Sequence, residues 1–120
     1  MTKTITETKV VNYEVKDDAD VFAEATIGEA QEGAWTMHLG DKFIGGGTDP
    51  ERVKIGNGKE LAEGNVHLEV SATVKDVREE TDRLTLVVDV NGGERPDAFE
   101  ISNEGDAGDN ASYSLIVRFI

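Results

Sequence analysis

From residue 66 to residue 75 the chain alternates without a break. Val66, Leu68, Val70, Ala72 and Val74 take every second position, and His67, Glu69, Ser71, Thr73 and Lys75 fill the gaps. A period of two places each set on its own face, so the segment predicts a strand with one face buried and one wet. The pattern resumes with Leu84, Leu86, Val88 and Val90, after the charged stretch 78–83 and before Asn91-Gly92-Gly93. The two segments read as an antiparallel hairpin over 65–91. Its phase turns Leu86 inward and Thr85 outward. Val77 falls out of phase with the 66–74 set, which predicts a bulge near Lys75-Asp76.

Shorter alternations surround this pair. Val11, Tyr13 and Val15 form one set, and Val21, Ala23, Ala25 and Ile27 another, with Asp17-Asp18-Ala19-Asp20 between them. Trp35, Met37 and Leu39 follow Gly33; Phe99 with Ile101 makes a short run; Tyr113, Leu115, Val117 and Phe119 close the chain. Seven short strands punctuated by turn residues predict an all-β fold, an antiparallel β-sandwich, with a small open β-barrel as the alternative. The hairpin and the 111–119 strand are expected at its centre. The expected core is Val66, Leu68, Val70, Val74, Leu84, Leu86, Val88, Leu115, Val117, Phe119 and Trp35. The segment 45–61 is Gly-rich and fits no long element, apart from a helical turn over 50–53 with Asp49 as its cap.

At 120 residues and 13.0 kDa the chain is the size of one domain, read as 1–120 without linkers. Surface scaling lets a chain of this mass bury about two-thirds of its unfolded surface, so a core forms without staples. Charge changes the picture most. Twenty-five Asp and Glu against 12 Lys and Arg give a net charge of −13. Nucleic acid is excluded as a partner, because phosphate binding runs on clustered cations. Anionic membrane surfaces are disfavoured by the same repulsion. There are no cysteines, hence no disulfide, thiolate nucleophile or Cys-bound zinc. No stretch reaches 18 apolar residues and the first residues carry no apolar signal core, so a chain complete as it stands is expected in the cytoplasm.

Candidate chemistry is thin. Gly56-Asn57-Gly58-Lys59 lacks the spacing of a phosphate loop and is followed by Glu60, so it reads as a tight turn. His38 and His67 are out of phase with the apolar sets beside them and should face solvent. Were their strands neighbours, His38, His67 and Glu69 would share a face able to meet a divalent metal. The acidic clusters are the stronger candidates. Asp17, Asp18 and Asp20 occupy one turn, while Asn103, Glu104, Asp106, Asp109 and Asn110 occupy another. Calcium takes six to eight oxygens from carboxylates, amides and carbonyls, and Gly-containing loops can wrap them around it. Asp17, Asp18, Asp20, Asp106 and Asp109 are therefore the candidate calcium ligands, although neither loop follows the EF-hand spacing. No nucleophile elbow or zinc-binding His-Glu-x-x-His occurs. Trp35 belongs to the core rather than to a sugar platform, and Asn110-Ala111-Ser112 is a glycosylation sequon only in a secretory setting.

Three functions follow. The first is a non-catalytic acidic module that meets a protein partner, or another copy of itself, through loops or a sheet edge. The second is a calcium-dependent binding module on the acidic inter-strand loops. The third is a small hydrolase using carboxylates with His38 or His67. A salt-rich habitat would explain the acidity without any binding site.

Overall fold

The computed structural model describes residues 4–28, 31–77, 83–106 and 108–120. In chain order the elements are β1 (Thr4–Tyr13), β2 (Asp20–Ile27), β3 (Glu32–Leu39), β4 (Lys42–Gly47), β5 (Arg52–Asn57), α1 (Gly58–Gly64), β6 (His67–Lys75), β7 (Arg83–Asn91), β8 (Asp97–Glu104) and β9 (Asn110–Phe119). Two sheets pack face to face: a five-stranded one in the order β1-β9-β6-β3-β4 and a four-stranded one in the order β5-β2-β7-β8. The expected sandwich is present and no barrel closes. Nine strands replace the seven expected among the described residues. All pairs are antiparallel except β1 with β9, which run parallel from Thr4↔Asn110 to Tyr13↔Phe119.

The alternations predicted the core well. Leu68, Val70, Val74, Leu84, Leu86, Val88, Leu115, Val117, Phe119 and Trp35 are buried and belong to one apolar cluster. Val66 is half-buried, because it lies one residue ahead of β6. Thr85 does point away from the core yet is only 6% exposed. Its hydroxyl lies 3.0 Å from that of Ser102, and Gly28 packs against its side chain.

The 65–91 hairpin does not form. β6 pairs with β3 and β9, while β7 pairs with β2 and β8 in the other sheet. Their apolar faces meet across the core instead of lying side by side. Alternation specifies an inward face for each strand, and two inward faces are satisfied equally well by opposing sheets. Of the intervening turn, 78–82 lie outside the described residues.

The Gly-rich stretch holds more structure than its composition implies. No helical turn occurs at 50–53; Arg52–Asn57 is strand β5, pairing with β2. Nor is Asn57-Gly58 a tight turn. Asn57 is extended (φ −79°, ψ 137°) and caps α1, its side chain accepting from the Lys59 and Glu60 amides. The helix buries Leu61 and ends at Asn65, which is left-handed at φ 52°. Of the three consecutive glycines in β4, Gly45 and Gly46 are pressed by their neighbours, whereas Gly47 is not. A Cβ on Gly45 would sit 3.1 Å from the Val53 side chain, and one on Gly46 would sit 3.1 Å from the Trp35 carbonyl and 3.3 Å from the Phe43 ring.

Two further segments differ from expectation. β1 begins at Thr4, far ahead of the Val11 set, and ends before Val15. β8 runs for eight residues, so Asn103 and Glu104 belong to a strand instead of an acidic turn. Edge strands β1 and β8 meet through side chains. Lys9 Nζ donates to the Glu100 carbonyl at 3.1 Å, and Asn103 Nδ2 donates to Glu7 Oε1 at 3.2 Å.

Candidate functional site

The register places the two acidic clusters at opposite ends of the sandwich. Asp20 begins β2, at the end where β7 finishes at Asn91; Arg83, which pairs with Glu104, begins β7 at the far end. The length of β2 from Asp20 to Ile27 alone separates these ends by roughly 23 Å. Asp17, Asp18 and Asp20 thus cannot share an ion with Asp106 and Asp109. Asp20 pairs with Lys54 at 3.3 Å, both side chains being well exposed. Asp109 is buried and accepts from the Asp106 amide through Oδ2 at 2.8 Å, while Asp106 is exposed.

Asn103 serves a buried network. It donates to Tyr113 Oη at 3.1 Å, and Tyr113 donates on to the Leu84 carbonyl at 2.8 Å, tying the two sheets together. Burial raises the Tyr113 pKa above its ordinary 10.0; the Asn103 hydrogen bond pulls the other way and the Glu7 carboxylate adds to the rise. A folded-state value above the unfolded one means this contribution is complete below about pH 10 and is lost as pH climbs through the raised value. Tyr113→Phe is expected to cost about 1–3 kcal/mol at neutral pH, by leaving the Leu84 carbonyl short of a donor. It should also flatten the loss of stability above about pH 10, read from urea melts across that range. An unchanged alkaline slope in the variant would move the effect to another group.

The histidine strands are neighbours after all. His38 is the register partner of Glu69, and His67 lies two residues from Glu69 on the same face of β6. Glu69 and His38 are nevertheless engaged with other side chains. Glu69 Oε1 accepts from Ser71 Oγ at 3.2 Å, and the His38 ring meets Phe43 edge-on with centroids 5.5 Å apart. Among the described residues no three His, Asp or Glu side chains lie close enough to hold a metal jointly.

What the five-stranded sheet does assemble is an ordered outer face, which the sequence reading missed. One transverse row runs Thr6, Ser112, Thr73, Ala34, and the next runs Thr8, Ser114, Ser71, Thr36, Gly46. These short side chains make a low floor. Beside them runs Val10, Ile116, Glu69, His38, Phe43. Val10 is 53% and Phe43 59% exposed, large values for such residues, and Ile116 is half-buried. The charged residues on this face are Glu32 and Glu69 against Lys75 and Arg118, which cancel. Two depressions of about 580 and 220 Å³ open onto it around Ala34 and Thr73.

No protein-family model matches the chain, and neither curated proteins nor solved structures give a match. Among the described residues no helix is long and apolar enough to cross a membrane.

Proposed function

We propose that the chain is a non-catalytic interaction module whose working surface is the outer face of the five-stranded sheet, and that its occupant is a second copy of the same chain. One observation carries this reading. In a chain of net charge −13, this face combines Val10, Ile116 and Phe43 with charges that cancel. Two such molecules repel each other over most approaches, and a neutral, partly apolar face is where contact costs least. The five strands, of ten, ten, nine, eight and six residues, give a footprint of about 700 Å² from ordinary strand spacings. A standard stable interface uses about 800 Å² per partner. A two-fold axis along the Val10–Phe43 row would bring that row against itself, as an isologous dimer requires. Short Thr and Ser side chains let two such faces approach closely.

The test is sedimentation velocity across about three decades of concentration. The sedimenting mass is expected to rise from 13.0 kDa toward twice that value, and to rise more readily in high salt, where the repulsion is screened. Ser71→Arg places a long cation on the floor of the face and should weaken association at least ~10-fold, about 1.4 kcal/mol, without lowering the melting temperature. A monomer at every concentration and salt would reject self-association.

A further inference from the structure

β6 keeps its inward phase through Leu68, Val70, Ala72 and Val74, and the next inward position is Asp76, 2% exposed. Across the ladder stands Asp109, 1% exposed. The Asp76 amide donates to the Asp109 carbonyl at 2.9 Å, and the Gly108 amide donates to the Asp76 carbonyl at 3.0 Å. Pairing therefore continues past Lys75↔Asn110, with Gly108 and Asp109 together opposing Asp76. The bulge expected near Lys75-Asp76 is therefore not in β6, where Val77 simply faces outward and is exposed; the extra residue lies in the facing segment at 108–109. Opposed residues of an antiparallel pair hold their Cβ atoms about 5 Å apart. Two buried Asp residues thus face each other across the ladder, at the end where β6 finishes and β9 begins.

Neither Asp76 carboxylate oxygen touches solvent, and among the described residues neither has a hydrogen-bond partner. A carboxylate taken out of water and left without a counter-charge is among the least favourable groups a fold can hold. Lys75, next in sequence, points to the opposite face and is exposed. The unpartnered oxygens and the second buried carboxylate across the ladder bring hard oxygen donors together, with no imidazole or thiolate beside them among the described residues.

We propose that this end of the sandwich binds one calcium ion through the carboxylates of Asp76 and Asp109, with backbone carbonyls and water completing its shell. Oxygen-only donors select a hard cation. Calcium accepts six to eight oxygens in irregular geometry, whereas magnesium demands a regular octahedron and keeps its waters. The turn at 17–20 takes no part.

The experiment uses the whole chain stripped with EDTA. Calorimetric titration with CaCl₂ should give one site per chain, and calcium near 100 times its dissociation constant should raise Tm by roughly 10 °C, well beyond MgCl₂ or NaCl at matched ionic strength. Asp76→Asn should abolish both the binding heat and the shift. In EDTA it should melt no lower than the parent chain, because it removes an uncompensated charge. Asp18→Asn should bind as the parent does. A calcium response no larger than that of magnesium, or one that survives Asp76→Asn, overturns the proposal.

Discussion

Gly92→Ala is expected to prevent stable folding at 37 °C. Gly92 has φ +99°, and a Cβ built there would lie 1.9 Å from the Asp20 carbonyl oxygen and 3.1 Å from the Val21 Cα. Both obstacles are backbone, so no side-chain rotation can relieve the overlap. To escape it, the segment after β7 must part from β2, next to the Phe22↔Asn91 pair. Residues held at unfavourable positive φ cost about 1–3 kcal/mol before any clash is counted. Forced separation of two paired strands adds to that, and the total should exceed ~4 kcal/mol, a large share of a typical 5–15 kcal/mol stability. Gly47→Ala is the matched control, with nothing within 4 Å of its Cβ position. Circular-dichroism melts of the two variants should differ by more than about 12 °C. Similar melts would mean that β2 and the 91–93 segment do not cross as described.

Trp35→Ala has the second largest expected effect. The indole is 1% exposed, lies beneath Gly45 and donates from Nε1 to the Asp49 carbonyl at 3.0 Å. Truncation to alanine opens a cavity in the core, where such changes cost about 3–5 kcal/mol. It also removes the donor that holds the 48–51 connection between β4 and β5. Because β4 rests on this ring, the loss should reach the outer face through Phe43. Trp35→Phe separates the two contributions. It keeps much of the volume, drops only the hydrogen bond and should cost about 1–3 kcal/mol in urea denaturation. If Trp35→Phe matched Trp35→Ala, the hydrogen bond rather than packing would dominate. If both were neutral, the indole would not be where it is described.

How far these features could be read from the chain depended on what each residue signals by itself. The strand faces were legible because burial requires one apolar side of each strand, and Leu68 through Val74 or Leu84 through Val90 display it openly. The sheet to which each strand belongs was not legible. Alternation is the same whether β6 and β7 lie beside or across from each other, so the hairpin was a reasonable inference from proximity and it was wrong. β1 was seen only from Val11 onward. Its inward positions include Glu7 and Lys9, which an edge strand can spend on contacts to β8, and this erased the hydrophobic signal. β4 escaped because its glycines make room for neighbouring rings, a requirement set by distant residues.

The candidate sites divide in the same way. The outer face of the five-stranded sheet exists only once Thr8, Ser114, Ser71 and Thr36 are brought into one row from four separate segments. Asp76 did leave a trace. It is the next member of the cleanest inward set in the chain, and a charge in an inward phase is a sharper signal than a cluster of charges in a turn. Counting carboxylates points to Asp17, Asp18, Asp20, Asp106 and Asp109, of which Asp109 alone is buried, while following phase adds Asp76.

The parallel pairing of β1 with β9 also sets how the molecule bears tension. A pull on Thr4 directed away from Tyr13, opposed by a pull on Phe119 directed away from Asn110, slides the two strands along each other. The bonds of all ten register pairs must then stretch together. An antiparallel terminal pair pulled from its shared end would instead open one bond after another, at much lower force. β9 is also locked to β6 over nine pairs, so the load spreads into the five-stranded sheet. Strung between two anchors by these strands, the sandwich is a shear clamp: stiff along its long axis, and yielding abruptly only when the whole ladder fails.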